Sequence, residues 1–318
     1  MGRRRRRLGL RAVRHRGIFA RMGRFNHPIM LNPIAMPFKL NLRPAREFAL
    51  PGHAVIGVDG LDAGVFLQSQ CMNDVNALTP GTWQYNGWLN PQGRILALLY
   101  LARLLSGAYL MILPAGDPAS LVEDLRRFVF RAKVRLQHIE EWHACGEIAG
   151  EGAARAEVLS EDADRHSLHI PGPRWHRTLH LSTRRFEPDA AAAEAWHALD
   201  MAVGWPWLQA AQIGRWTPQM LGLQRLPAFS LKKGCYPGQE IVARTHYLGK
   251  SKRDLYALRG TGLQAGQPLH SGAQEIGTVV DAAGGGDWGL AVLPAPTDDG
   301  VALSNPAGRV DLATVEIC

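Results

Sequence analysis

Cysteine is scarce in this chain, with four among 318 residues, at positions 71, 145, 235 and 318. No two lie close enough to make a Cys-x-x-Cys clip, which argues against a structural zinc site and against a self-contained iron–sulfur cluster. Sparse, scattered thiols suit a reducing cytoplasm. Long apolar runs are missing too. The best candidate, residues 95–105, contains Arg103 and ends at Ser106-Gly107, short of the roughly 20 residues that span a bilayer. Arg21, Arg24 and His27 interrupt any secretory core near the start. No phosphate-cradling loop is present, since Gly284-Gly285-Gly286-Asp287 lacks the Lys-Ser/Thr ending.

Acidic residues are absent from the first 46 positions, which hold 13 of the 36 Lys and Arg. Beyond them stand 23 basic and 28 acidic residues. The net charge of +8 therefore comes from the tail, and the body is mildly acidic, which speaks against a broad nucleic-acid surface on it. The run Arg3–Arg7 and the prolines at 28, 33, 37 and 44 predict a disordered segment. Three origins compete for it: a start placed upstream of Met30 or Met36, a basic interaction arm, and an organellar presequence, the last without any Ser before position 69.

Regular patterning begins at residue 53. Strands are expected at 53–58, 83–89, 95–105, 109–113 and 133–139, with Asn90-Pro91-Gln92-Gly93 as a tight turn. Helices are expected at 61–70, at 118–130 behind an Asp117-Pro118 start, and at 190–203. On the second of these, Leu121, Leu125, Phe128 and Val129 form the buried side. This order predicts an antiparallel sheet with helices on one face. Residues 146–186 are weakly patterned, and strands and loops are expected there. From 252 onward short apolar segments alternate with Gly, Pro and Asp, as in a small β-barrel or sandwich. His166, His169, His176 and His180 fall in the weak segment beside no ligand motif, so a solvated strand face is expected and no metal site.

The most informative stretch is Lys233-Gly234-Cys235-Tyr236-Pro237-Gly238-Gln239-Glu240. Two glycines around a Tyr-Pro pair require a sharp turn. Lys232 and Lys233 stand beside Cys235, and positive charge favours thiolate over thiol. A buried, inert cysteine fits the same residues.

The octet resembles the signature of the YgfZ family, Lys-Gly-Cys-Tyr-x-Gly-Gln-Glu, followed here by Val242-Ala243-Arg244 and Gly249-Lys250-Ser251-Lys252-Arg253. The residues 58–63, 66–68, 73–75 and 89–95 resemble the opening of the wider glycine-cleavage T-protein superfamily, and 196–206 resembles the segment before its Cys loop. The resemblance implies an α+β fold with a folate-binding T-protein-like body over 47–248, containing a ferredoxin-like unit, and a C-terminal β-barrel over 249–318, after the tail at 1–46. It implies tetrahydrofolate or a derivative as ligand, Cys235 and Lys233 as functional residues with Gly234, Tyr236, Gly238, Gln239, Glu240 and Arg244 around them, and Trp196 as a folate contact. His53 stands where the family places another tryptophan. The implied function is accessory to iron–sulfur cluster assembly or repair, supporting enzymes such as those that modify tRNA, with cluster proteins or assembly factors as partners. Direct tRNA binding is not expected. The competing activity, aminomethyl transfer, needs an acidic residue after the 90–93 turn, where Ala97 stands; a methyl group accepts no proton.

Overall fold

The computed structural model describes residues 46–149, 159–162, 164–171, 175–247, 249, 251–298 and 300–313. The basic tail up to residue 45, and Cys318, lie outside the described residues.

Strand β1 (Phe48–Ala49) leads into β2 (Ala54–Asp59), helix α1 (Ala63–Gln70), β3 (Thr82–Leu89), β4 (Ile95–Arg103), β5 (Tyr109–Leu113), helix α2 (Pro118–Arg126) and β6 (Arg135–His138). Strands β2 to β6 form an antiparallel sheet in the order β3-β4-β5-β2-β6. Setting β3 aside, this is the βαββαβ order of a ferredoxin-like unit, with β3 added at one edge. One face of the sheet packs on α1 and α2 through Leu67, Leu99, Met111 and Leu125.

Two helix ends differ from the periodicity. Helix α1 starts at Ala63 rather than Leu61, with Asp62 at the N-cap position, although the Asp62 side chain makes no capping bond and accepts instead from the backbone N–H of Lys133. Helix α2 stops at Arg126, so the expected stripe lapses and Phe128 is 49% exposed, touching Trp88 edge-on.

A second sheet holds β1, β7 (His143–Ala149), β8 (Leu159–Asp162), β9 (Arg165–Ile170) and β10 (His176–Ser182), in the order β1-β7-β10-β9-β8. The described residues of the weakly patterned region are thus largely strand. Their alternation is masked because the face opposite Leu179 and Leu181 carries His, Ser, Thr and Glu. That face is not simply solvated: His180 is buried between Ser167 Oγ (2.8 Å) and Glu147 Oε2 (3.2 Å), while His166 lies on the other face, paired with Leu181 and packed on Trp142.

Helix α3 (Ala190–Ala202) packs against β1 and β7. After the loops that follow comes α4 (Gln239–Tyr247), then β11 (Arg253–Arg259), β12 (Pro268–Ser271), β13 (Gln274–Ala283), β14 (Trp288–Pro294), β15 (Leu303–Asn305) and β16 (Gly308–Ala313), which close a six-stranded barrel. A shared core joins the inner faces of both sheets, α3 and one side of the barrel, and includes the fully buried Trp83, Trp196, Trp205 and Trp288. Each such ring contributes about 4 kcal/mol from burial alone. Among the described residues no helix is long and apolar enough to cross a membrane.

Candidate functional site

The segment leading into the octet leaves the core at Ser230, whose backbone N–H donates to Met72 O. Asn73 Nδ2 donates to Pro227 O at 2.6 Å, so the approaching strand of the loop is laid along residues 71–73. Lys233 then turns inward. Its ammonium donates to the carbonyls of Cys71 (2.5 Å) and Asn73 (2.9 Å) and lies 5.0 Å from the centre of the Tyr236 ring. Burial pulls its pKa down to about 8. This revises the expectation for Lys233: its charge is committed to interior carbonyls, and the exposed cation nearest Cys235 in sequence is Lys232.

Tyr236 is buried, with its hydroxyl donating to Ser230 O, and Gln239 Nε2 closes the loop on Lys233 O at 3.0 Å. The loop's far side is fixed by Gly238, whose φ of 76° is left-handed. A Cβ there would stand 2.6 Å from Asn90 O and from Gly93 Cα. The Cys loop and the 90–93 turn therefore meet backbone to backbone. Gly234 differs: its φ is not left-handed, and a Cβ would meet nothing within 4 Å. Between these anchors Cys235 is exposed, while Cys71 and Cys145 are buried. Burial pushes both buried thiols up to about 12. Of the three described cysteines, Cys235 is the one that a solvent-borne partner can reach. Helix α4 follows, with Glu240 in its first turn and Arg244 in its last, the placement that its dipole favours.

A second constellation lies in the shared core. Asp200 is fully buried and accepts from Tyr100 OH (3.0 Å), Arg177 Nη1 (2.6 Å) and Trp207 Nε1 (2.9 Å). The Trp207 ring is half-buried between two histidines. His197 stacks on it at 4.2 Å, and His53 meets it edge-on at 5.1 Å. Burial alone would lower His197, but its 2.8 Å hydrogen bond to Asp281 and the neighbouring carboxylates hold it above its usual value. His53 has no such partner. Both its ring nitrogens are buried without a hydrogen bond among the described residues, and burial lowers its pKa to about 4.

That value has a testable consequence. Between pH 6.5 and 4 the unfolded chain takes up a proton at His53 and the folded chain does not, so stability falls as pH falls through this window. The loss attributable to the group reaches about 3 kcal/mol by pH 4. Urea unfolding of wild type and His53→Phe across that range should show the wild type losing ground as acid is added. Parallel curves would refute the assignment.

Trp196, the expected folate contact, is fully buried. Arg177 lies over its ring at 4.9 Å and Phe48 meets it edge-on, and its indole N–H has no partner among the described residues. Trp205 is likewise sealed against Tyr85 and Tyr100, with its N–H unpartnered among the described residues. Ala97 packs with the α1–α2 side of its sheet, beside Trp88 and Leu99, whereas Leu98 faces the shared core. Neither neighbouring position carries a carboxylate. The His53–Trp207–His197 arrangement was not foreseen as a unit. Its sequence signals were His53, standing where the family places a tryptophan, and His197 within the 196–206 segment, and nothing local ties that segment to Asp281.

A family model described as the GCVT N-terminal domain matches residues 52–205. The chain is similar to proteins called tRNA-modifying protein YgfZ. That of Hamiltonella defensa is 30% identical over 74% of each chain. That of Klebsiella pneumoniae is 28% identical over 82% of this chain and 84% of its own, and that of Colwellia psychrerythraea 28% over 68% and 71%. Among solved structures, the aminomethyltransferase T of the glycine cleavage system from Bartonella henselae superposes with a TM-score of 0.69 at 18% identity, covering 86% of each chain. At that identity the likeness is one of fold.

Proposed function

The chain belongs to the YgfZ family, and from that premise we propose that it is a folate-dependent accessory protein for iron–sulfur enzymes, including those that modify tRNA, acting through the thiol of Cys235. The observation that carries this reading is the exposure of Cys235 on a loop clamped at both ends. A thiol on a rigid turn can meet the sulfur or metal of a protein partner without first unfolding its surroundings. Its partners would be cluster proteins or assembly factors that present such groups.

The residues present fit a folate. The ring nitrogens of His53 are buried polar atoms without a partner among the described residues, and the half-buried Trp207 ring offers an edge beside them. Unpaired groups of this kind each cost about 1–3 kcal/mol until something satisfies them. A pterin edge supplies acceptors and donors of the right kind. When bound, tetrahydrofolate would supply a one-carbon carrier. In this chain His53 would orient the ring as a neutral imidazole, and Leu98, the residue of that strand facing the shared core, offers no base there, while Ala97 lies on the opposite face. The absence of that base favours a binding role over aminomethyl transfer.

Replacing Cys235 by Ala should leave urea stability and tetrahydrofolate affinity within error of wild type and abolish complementation of a strain lacking its own copy. Full complementation would remove the thiol from the mechanism. Formation of methylenetetrahydrofolate by the pure protein with an aminomethylated lipoyl carrier would overturn the non-catalytic reading.

A further inference from the structure

On the flank of the 90–94 turn lies a cleft of about 260 Å³ that the reading above does not use. Its walls come from the turn itself (Arg94), the 215–220 loop (Arg215, Trp216, Met220) and the barrel (Arg253, Glu275). Two of the guanidinium groups are held by neutral acceptors. Arg94 Nη1 donates to Arg215 O at 2.8 Å and also reaches Met220 Sδ; Arg253 Nη1 donates to Ile276 O at 2.9 Å. The third, Arg215, lies over the Trp216 ring at 5.1 Å. Among the described residues none of the three has a carboxylate within ion-pairing distance, although Arg127, Arg135, Arg165, Arg177, Arg225 and Arg309 all do. Three cations thus face one cleft with Glu275 as its lone acid.

We propose that this cleft binds a phosphate group carried by a nucleotide-sized ester or by an RNA backbone. Guanidinium groups fixed by backbone carbonyls keep their remaining N–H bonds in a set direction, the geometry that suits tetrahedral oxyanions. The volume exceeds one phosphate and falls below the ~300 Å³ typical of drug-sized ligands, so part of the ligand extends outside. The mildly acidic balance of the body does not oppose this, since recognition here is local. The site also adjoins the thiol loop through Gly93, which packs on Gly238. A ligand anchored by its phosphate would therefore lie against the hairpin turn on which the loop packs.

The test uses the full chain with three probes: inorganic phosphate, AMP and a short end-labelled single-stranded RNA. Arg215→Gln and Glu275→Gln change exposed side chains and should fold normally, which thermal melting checks. Arg215→Gln should weaken the bound probe about tenfold and flatten the salt dependence of RNA binding by roughly 0.7 in log–log slope. Glu275→Gln should tighten it. Competition by phosphate or AMP identifies a small ester as the source; RNA binding that neither displaces identifies the backbone. If all three probes bind wild type and both variants alike, or none binds wild type, the proposal fails.

Discussion

Asp200→Ala should remove at least about 4 kcal/mol of stability, a large share of the 5–15 kcal/mol that holds a typical domain together. Deleting this carboxylate leaves the Arg177 guanidinium in the core without its ion-pair partner, since among the described residues its other direct contacts are the Trp196 ring and the Trp196 carbonyl. Removing one member of a buried pair costs about 3–5 kcal/mol. Tyr100 OH and Trp207 Nε1 lose their acceptor at the same time, and each stranded donor adds about 1 kcal/mol or more. Asp200→Asn should cost less, since an amide oxygen still accepts, but it cannot neutralise the arginine. Urea unfolding of Asp200→Ala, Arg177→Met and the pair together gives the coupling. The double variant should recover part of the loss, with an interaction of about 2 kcal/mol or more. A single-variant cost below about 1.5 kcal/mol, or additive losses, would show that the network is not what joins α3 to β4 and β10.

Gly238→Ala is the second large effect, and Gly234→Ala is its control. A left-handed residue with a Cβ costs about 1–2 kcal/mol by itself. At position 238 the new methyl also meets three backbone atoms of the 90–93 turn within 2.7 Å, and backbone cannot rotate aside. The loop must lift off the turn, carrying the start of α4 with it. We expect about 3 kcal/mol of destabilisation and markedly faster proteolysis between residues 233 and 240. At Gly234 the same substitution adds a methyl to open space and should shift stability by less than about 0.5 kcal/mol. Equal effects at the two glycines would contradict the geometry described here.

These two glycines also mark the limit of what the sequence discloses. Both sit in the octet, and residue identity alone makes them equal turn formers. Whether a glycine is needed for its φ, for a close approach, or for neither depends on a hairpin far away in the chain. The octet itself was legible, as were the barrel, α3 and the strands around Asn90–Gly93, because periodicity and turn chemistry are local. The direction of Lys233 was not, since adjacency to Cys235 says nothing about the carbonyls of Cys71 and Asn73 waiting in the core. Residues 159–182 concealed their strands because their polar face is itself partly buried, which suppresses the usual apolar–polar contrast. Asp200 read as one more helix residue for the same kind of reason: its three donors come from β4, β10 and the loop after α3.

Gly93 meeting Gly238 makes the thiol's position a property of two segments rather than one. An eight-residue graft of the octet into an unrelated host would bring the sulfur but not the platform it rests on. The smallest portable unit is the loop together with the β3–β4 hairpin, so drift in that hairpin's turn should retune sulfur reactivity even when every residue of the octet is kept.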